Sequence, residues 1–408
     1  MDHFTSAHDA VVHLRPDVPL AVNRPHRVRA ATRWFLDAFE GDILYAVKAN
    51  PSPWVLEALW REGVRHFDVA SVNECKLVRD MFPTATLAFM HPVKNRTAIA
   101  RAYHEFGCRI FALDTLEELR KIQEETGGAT DLTLMVRLGV SNADASLKLE
   151  SKFGTHGEEA VLLLRHARAA TEEDLGVCFH VGSQCMSPNA WRDALYETSK
   201  LIIQAGVTVD VVDVGGGFPA VYPNMAPPPM QSYVDEIHRL FDAMPVTMNC
   251  KLWSEPGRAL VAEATSIVVK IDLRKGNRLY INDGSYGTLF DATHIKWQFP
   301  VRLIRSNTLD QGATCADELL VSKLADFSFF GPTCDSLDCA EGPFRLPEDA
   351  AEGDWIEIGM LGAYGVTMKT GFNGYGEVIE VQSSDTPFTS MFPSDQPAGQ
   401  VVPLYAKG

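Results

Sequence analysis

The sequence predicts an α/β protein built as a (β/α)8 TIM-type barrel followed by a C-terminal β-rich domain of sandwich or barrel-like form. Two patterns carry that prediction. Between residues 42 and 257, eight short apolar runs alternate with stretches whose apolar positions fall on one helical face. Beyond about residue 262 the helical spacing fades and period-two alternation takes over. Eight βα units in roughly 220 residues is the size that closes a barrel, whereas an open doubly wound sheet normally stops earlier. No Gly-x-Gly-x-x-Gly follows any run, which weighs against a dinucleotide-binding sheet.

The eight runs are Ile43–Ala49, His66–Ala70, Thr86–Met90, Arg109–Asp114, Thr133–Gly139, Val177–Gly182, Val211–Gly216 and Lys251–Pro256. Between them lie amphipathic stretches such as Pro53-Trp-Val-Leu-Glu-Ala-Leu-Trp and Thr115-Leu-Glu-Glu-Leu-Arg-Lys-Ile, the pattern of βαβ units feeding a parallel sheet. The later alternating runs are Ser266–Leu273, Leu279–Asn282, Glu318–Ser322, Trp355–Ile358 and Tyr375–Val381. Asp9–Val22 alternates too, so residues 1–25 are expected to join the β-rich domain, with the barrel over 26–262 and the β domain over 263–408. The prolines around Ala226–Met230 and the tail from Ser384 read as loop or weakly ordered chain.

Composition narrows the function. The 408 residues carry 37 Lys and Arg against 53 Asp and Glu, a net charge of −16, which disfavours nucleic acid and other polyanions as partners and favours approach of small cations. With 46% hydrophobic and 22% charged residues, disorder is excluded as the main state. Eight cysteines without a Cys-x-x-Cys pair or zinc-ligand spacing read as reduced thiols, mostly core, with no metal site. The N-terminal residues lack a signal-peptide pattern, and no apolar stretch approaches the ~18 residues a membrane span needs. The expectation is a cytoplasmic enzyme with no membrane partner.

Barrel enzymes place their reactive groups at the carboxyl ends of the strands. Here those ends carry Lys48, Asp68, His91, Arg137, His180, Ser183, Gly215-Gly-Gly and Glu255-Pro-Gly-Arg258. A lysine in an apolar strand loses hydration, which depresses its pKa and makes Lys48 a candidate amine nucleophile; the alternative is a side chain snorkelling to the rim. Three glycines let backbone amides approach a phosphate, aided by a following helix N-terminus, or they form a plain tight turn. Glu255 and Arg258 form either a surface ion pair or, if buried, a carboxylate able to partner a pyridinium nitrogen. Lysine, phosphate loop and carboxylate on one barrel rim are what pyridoxal 5'-phosphate requires.

These strings resemble the ornithine decarboxylase branch of the fold-type III (alanine racemase-like) pyridoxal-phosphate decarboxylases, in a bacterial-type form. The residues that carry the resemblance are Tyr-Ala-Val-Lys-Ala-Asn (45–50), Phe-Asp-Val-Ala-Ser (67–71), Phe-His-Val-Gly-Ser (179–183), Asp-Val-Gly-Gly-Gly-Phe-Pro (213–219), Glu-Pro-Gly-Arg (255–258), Asn-Asp-Gly-Ser-Tyr-Gly (282–287), Gly-Pro-Thr-Cys-Asp (331–335) and Gly-Ala-Tyr (362–364). The resemblance implies Lys48 as the Schiff-base lysine, Glu255 as partner of the pyridine nitrogen and His180 stacked on the ring. It implies Ser183, Gly215, Gly216, Gly217, Gly257, Arg258 and Tyr364 around the phosphate, and Asp68 and Arg137 near the lysine and ring hydroxyl.

The same resemblance implies a homodimer with shared active sites. Cys334 would reach the neighbouring subunit's site and protonate the carbanion left by CO2 loss, although an isolated Cys is more often inert core. Asp335 and Asp291, with Tyr286 and Phe372 nearby, would bind the distal ammonium of the substrate, and Lys152 with Asp338 would form an intersubunit ion pair. The segment after Tyr286 is shorter than in the eukaryotic ornithine decarboxylases. The implied reaction is L-ornithine to putrescine and CO2, with L-lysine to cadaverine as a second substrate. Competing readings are an arginine or diaminopimelate decarboxylase, a racemase of the same barrel class, and a non-catalytic regulator resembling the antizyme inhibitors.

Overall fold

A computed structural model describes residues 1–140, 145–147, 152–306 and 323–393. Every one of the eight predicted barrel runs overlaps a strand: Asp42–Ala46, His66–Val69, Thr86–Phe89, Ile110–Leu113, Thr133–Arg137, Leu175–Cys178, Val211–Asp213 and Lys251–Ser254, although the sixth run, Val177–Gly182, shares only Val177 and Cys178 with its strand. All pair in parallel and in sequence order, and the eighth strand returns to the first to close the barrel. The strands end earlier than the apolar runs, because the chain leaves the sheet at the rim where the polar residues stand.

Two apolar layers hold this barrel. Leu44, Ala88, Ala112, Met135, Val211 and Trp253 fill its interior, and a larger cluster lies between the strands and the surrounding helices. Burial of such side chains is worth roughly 1.5–3 kcal/mol each. Several helices begin with a cap at the rim: Ser71, Asn95 and Thr115 accept the amides of Glu74, Ala98 and Glu118. Such caps end the strand-to-helix loops at defined points. The eighth unit is cut to a single turn, Arg258–Val261, and Pro25–Ala38, which precedes the first strand, packs against it and against Pro53–Glu62.

Ala145–Leu147 and Ser183–Cys185 pair antiparallel beside the barrel, and the remaining strands form a mixed nine-stranded sheet centred on Thr265–Lys275. One part of this long strand pairs antiparallel with Leu20–Asn23 and with Trp355–Ile358, and its far end, past a register shift, with Arg278–Ile281. Leu20–Asn23 is flanked on its other edge by Ile379–Ser383, in parallel. The architecture is therefore a closed parallel barrel with a separate, mostly sheet, C-terminal domain.

Several expectations are corrected. Asp9–Val22 is not one strand: Ala7–Leu14 is a helix capped by Ser6, and only Leu20–Asn23 is extended. The predicted run Tyr375–Val381 starts as a strand only at Ile379, after a short turn at Phe372–Gly374. Strands that were not predicted include Val301–Ile304, Leu324–Phe330 and Cys339–Pro347; the last carries Gly342-Pro343, a turn signal, where its pairing with Leu324–Phe330 shifts register. Residues 384–393 carry no helix or strand, as expected of a loop, but they are held in place, since Asp385 binds Arg24 and Phe392 is buried against Trp34 and Phe35. The run Glu318–Ser322 lies outside the described residues.

Candidate active site

The first strand ends in a single turn, Val47–Ala49, so Lys48 stands just past the strand rather than within it. That turn is fastened to the C-terminal domain: Asn50 Nδ2 donates to the Gly362 carbonyl at 2.8 Å, and the Tyr364 amide donates to the Ala49 carbonyl at 2.9 Å. Gly362 is required here, since a Cβ would stand 1.8 Å from the Val261 carbonyl oxygen. Lys48 Nζ donates to Asp68 Oδ2 at 2.5 Å, and Asp68, on the second strand, is 1% exposed. Burial disfavours the ammonium, but Asp68, Glu255 and Tyr364 outweigh it and raise the lysine pKa. The depressed pKa expected from the sequence is thus overturned, because barrel closure supplies a carboxylate partner.

Behind this pair lies a buried carboxyl cluster. Glu255 follows the eighth strand, is 3% exposed, and its Oε1 meets no N–H or O–H donor among the described residues. Burial, then the charges of Asp213 and Asp68, push its pKa well above the ordinary carboxyl value. Its burial excludes the surface ion pair with Arg258. Arg137, at the end of the fifth strand, faces this cluster and the Cys178 thiol. His180 is kept neutral by burial and by the positive charges of Arg137 and Lys48. Its Nδ1 accepts the Gly182 amide at 2.9 Å, which puts the ring proton on Nε2.

The other end of the site is cationic. Gly217 has φ +109°, and a Cβ there would lie 2.4 Å from the Gly182 carbonyl oxygen, so only glycine fits. Gly215 accepts the Glu255 amide with its carbonyl, tying the glycine loop to the eighth strand end. The expected helix dipole is absent from this loop, since the next helix begins at Met230. Ser183 begins a short strand, Ser183–Cys185, beside the loop, and the Cys185 amide donates to the Gly217 carbonyl. Gly257 leads into the single turn that holds Arg258.

Arg258 is buried, donating from one terminal nitrogen to Asp291 Oδ2 at 2.9 Å and to the Tyr222 hydroxyl at 2.8 Å. Its guanidinium carbon also lies 5.0 Å from each of the Trp297 and Tyr364 rings. Tyr364 takes φ +57°, a left-handed backbone conformation uncommon for a residue with a side chain. Tyr222, Trp297 and Asp213 were missed in the sequence; of these only Asp213, at the end of the seventh strand, carried a positional signal.

Cys334 and Asp335 lie elsewhere, on the loop between Leu324–Phe330 and Cys339–Pro347. Cys334 is exposed, and its amide and thiol both donate to Asn373 Oδ1. Asp335 accepts the Tyr286 hydroxyl, which lowers its pKa and keeps it ionised, and the Tyr286 ring packs 4.8 Å from Phe372. Neither Cys334 nor Asp335 hydrogen-bonds to Lys48, Glu255 or Arg258 among the described residues. Asp338 is not presented for an ion pair with Lys152: it is 3% exposed and accepts from Ser285, Thr333 and the Thr333 hydroxyl, shaping its own loop.

The polar residues left short of partners fit pyridoxal phosphate. Among the described residues, Arg258 Nε is a buried donor without an acceptor, suited to a phosphate oxygen, and Glu255 Oε1 is a buried acceptor without a donor, suited to a pyridinium nitrogen. Fold and site together define a barrel enzyme of the pyridoxal-phosphate class. The family model described as pyridoxal-dependent decarboxylase, pyridoxal binding domain, matches residues 26–262, and the chain belongs to that family. Its cofactor is pyridoxal 5'-phosphate.

The chain is 30% identical over 341 residues to the lysine/ornithine decarboxylase of Selenomonas ruminantium, covering 82% of this chain and 81% of the relative. It is 29% identical over 356 residues to antizyme inhibitor 2 of Xenopus laevis, covering 81% and 73%. The lysine/ornithine decarboxylase of Vibrio vulnificus complexed with putrescine superposes with a TM-score of 0.77 at 26% identity, covering 93% of this chain and 99% of that one. Among the described residues no helix is long and apolar enough to cross a membrane.

Proposed function

We propose that this protein decarboxylates a basic L-amino acid, with L-ornithine converted to putrescine and CO2 as the main reaction and L-lysine converted to cadaverine as a second. The observation that carries the substrate class is Asp335: a half-buried carboxylate, held ionised by the Tyr286 hydroxyl, on the loop that also presents Cys334. A fixed carboxylate suits a charge-assisted contact with the distal ammonium. The names of the Selenomonas and Vibrio relatives support the same class. A methylene of difference is worth about 1–3 kcal/mol, so both diamines fall within reach of one pocket.

In this reading Lys48 anchors the cofactor, and its proton must first leave; Asp68, 2.5 Å away, is the base in reach. His180 covers the ring, Asp68 and Arg137 lie towards the lysine and ring hydroxyl, and Glu255 meets the pyridine nitrogen. Ser183, Gly215–Gly217, Gly257, Arg258 and Tyr364 hold the phosphate. When bound, pyridoxal phosphate supplies the electron sink for the pair left by CO2 loss. Cys334 Sγ delivers a proton to the α-carbon.

The exposure of Cys334, with Asp335 beside it on the same loop, supports their use by a neighbouring subunit, in a homodimer whose two sites are shared. Asp291 forms the second wall of the ammonium pocket. The seven described cysteines are free thiols, which fits a reducing compartment, and a cytoplasmic location is part of the proposal.

The test is CO2 release by cofactor-loaded protein with L-ornithine, L-lysine, L-arginine and meso-diaminopimelate, each over a concentration range. Turnover of ornithine above lysine is expected. Release from arginine or diaminopimelate alone would reassign the substrate. The likeness to antizyme inhibitor 2 favours one second reading, a regulator without activity, which would hold if the protein retained no cofactor and turned over none of the four.

A further inference from the structure

Asp213 is the last residue of the seventh barrel strand and is completely buried. Its Oδ1 accepts the Gly215 amide at 2.8 Å, which accounts for one oxygen by loop anchoring. Its Oδ2 is buried and takes no N–H or O–H donor among the described residues, and Glu255 Oε1 is in the same condition. The two carboxyl groups lie within hydrogen-bonding reach of each other. Two carboxylates cannot face one another unprotonated in a buried site without a large cost, whereas one proton between them satisfies both orphaned atoms.

We propose that Asp213 is the positioning residue of Glu255: the pair shares one proton before the cofactor binds, and the Asp213 charge behind Glu255 then keeps the pyridine nitrogen of the bound cofactor protonated. This inference rests on the reading that Glu255 meets that nitrogen. The balance is simple. The proton leaves the pair for the ring nitrogen, and two carboxylates then face one pyridinium, with no other group gaining or losing a proton.

The surrounding charges are compatible with one proton on the pair. Asp68 on the second strand adds negative charge, while Lys48 after the first strand and Arg137 on the fifth oppose it. The Cys178 thiol on the sixth strand is pushed up by burial and His180 is held neutral, so neither adds charge. Burial raises Asp213 to about 6 and Glu255 well above its ordinary value, the pattern of a pair that titrates as a unit.

Two measurements test this. In cofactor-free protein at pH 7, infrared spectroscopy should show a protonated-carboxyl band that disappears in both Asp213→Asn and Glu255→Gln; absence of the band from the wild type would overturn the shared proton. In cofactor-loaded protein, the 15N shift of ring-labelled pyridoxal phosphate should report a protonated nitrogen, and Asp213→Asn should lower its titration by a pH unit or more. Asp213→Asn keeps an oxygen for the Gly215 amide, so a role in anchoring the loop alone would leave that titration unmoved, and Asp213→Glu should restore part of it.

An unchanged titration in Asp213→Asn, with a shifted one in Glu255→Gln, overturns the role of Asp213 alone. An unchanged titration in Glu255→Gln overturns the placement of Glu255 itself. Should Asp213→Asn fail to bind cofactor, the wild-type and Glu255→Gln infrared spectra still decide the shared proton.

Discussion

Replacing Arg258 with methionine separates two roles that meet in one side chain. The guanidinium is buried, its partner Asp291 is 7% exposed, and their contact is 2.9 Å. Removing one member of a buried pair costs about 3–5 kcal/mol, because the other charge is left uncompensated. Asp291 can relieve part of this by taking a proton, since burial already raises its pKa against the opposing pull of Arg258. The expected loss at pH 7 is therefore about 3 kcal/mol, at the lower end of that range. With m near the top of about 1–3 kcal/mol/M, the urea midpoint of cofactor-free protein should fall by roughly 1 M.

The deficit should shrink as pH falls towards the unfolded carboxylate value of about 3.9, because the raised folded pKa of Asp291 favours the native state once the proton is taken up. Adding Asp291→Asn removes the stranded charge and should recover most of the midpoint. It should not recover the cofactor: one charge-assisted hydrogen bond to phosphate is worth about 1.5–3 kcal/mol, or roughly 10- to 150-fold in affinity. Denaturation curves and fluorescence titration with pyridoxal phosphate read the two effects separately. An unchanged midpoint in the single variant would refute the pair's contribution to stability, and restored cofactor affinity in the double variant would refute the phosphate contact.

Three further outcomes are expected. Lys48→Ala should abolish the visible absorbance of the covalently held cofactor, and an unaltered spectrum would remove Lys48 from that role. Cys334→Ala should slow diamine formation or divert it to aldehyde by-products, and subunit exchange with Lys48→Ala should restore part of the activity; wild-type product purity, or no recovery after exchange, would contradict the proton-donor and shared-site readings respectively. Glu357 is completely buried between Arg24 and Arg302, and these charges outweigh burial and lower its pKa to about 2. Its stabilising effect, on the order of 3 kcal/mol, should be present above the ordinary carboxyl value and lost as pH falls towards 2, and Glu357→Gln should be less stable at neutral pH but flat across that acid window by urea denaturation.

The barrel was legible because each strand lies in a short apolar run followed by a helical spacing, and the rule that chemistry sits at strand ends then isolated Lys48, Glu255 and Arg258. Their charge states were not legible. Asp68 is twenty positions from Lys48 and reaches it only when adjacent strands pair, and Asp291 comes to Arg258 from another domain. The N-terminal helix hid behind an alternating pattern, although Ser6 and Asp9 form a cap signal that could have revealed it. Leu324–Phe330 alternates as a strand should, yet its buried Phe327 and Phe329 drew no notice without the neighbouring strands that cover them.

The sheet position of Leu20–Asn23 has a consequence for the order in which the protein can mature. This strand leaves the ribosome well before its partners, Thr265–Val268 and Ile379–Gln382. It must wait unpaired while the barrel's successive βα units gather beside it. The lysine turn waits as well, since the carbonyl and amide that fasten it belong to Gly362 and Tyr364. The nascent barrel is thus an unfinished site, with the turn that carries Lys48 unfastened until Gly362 and Tyr364 have been made.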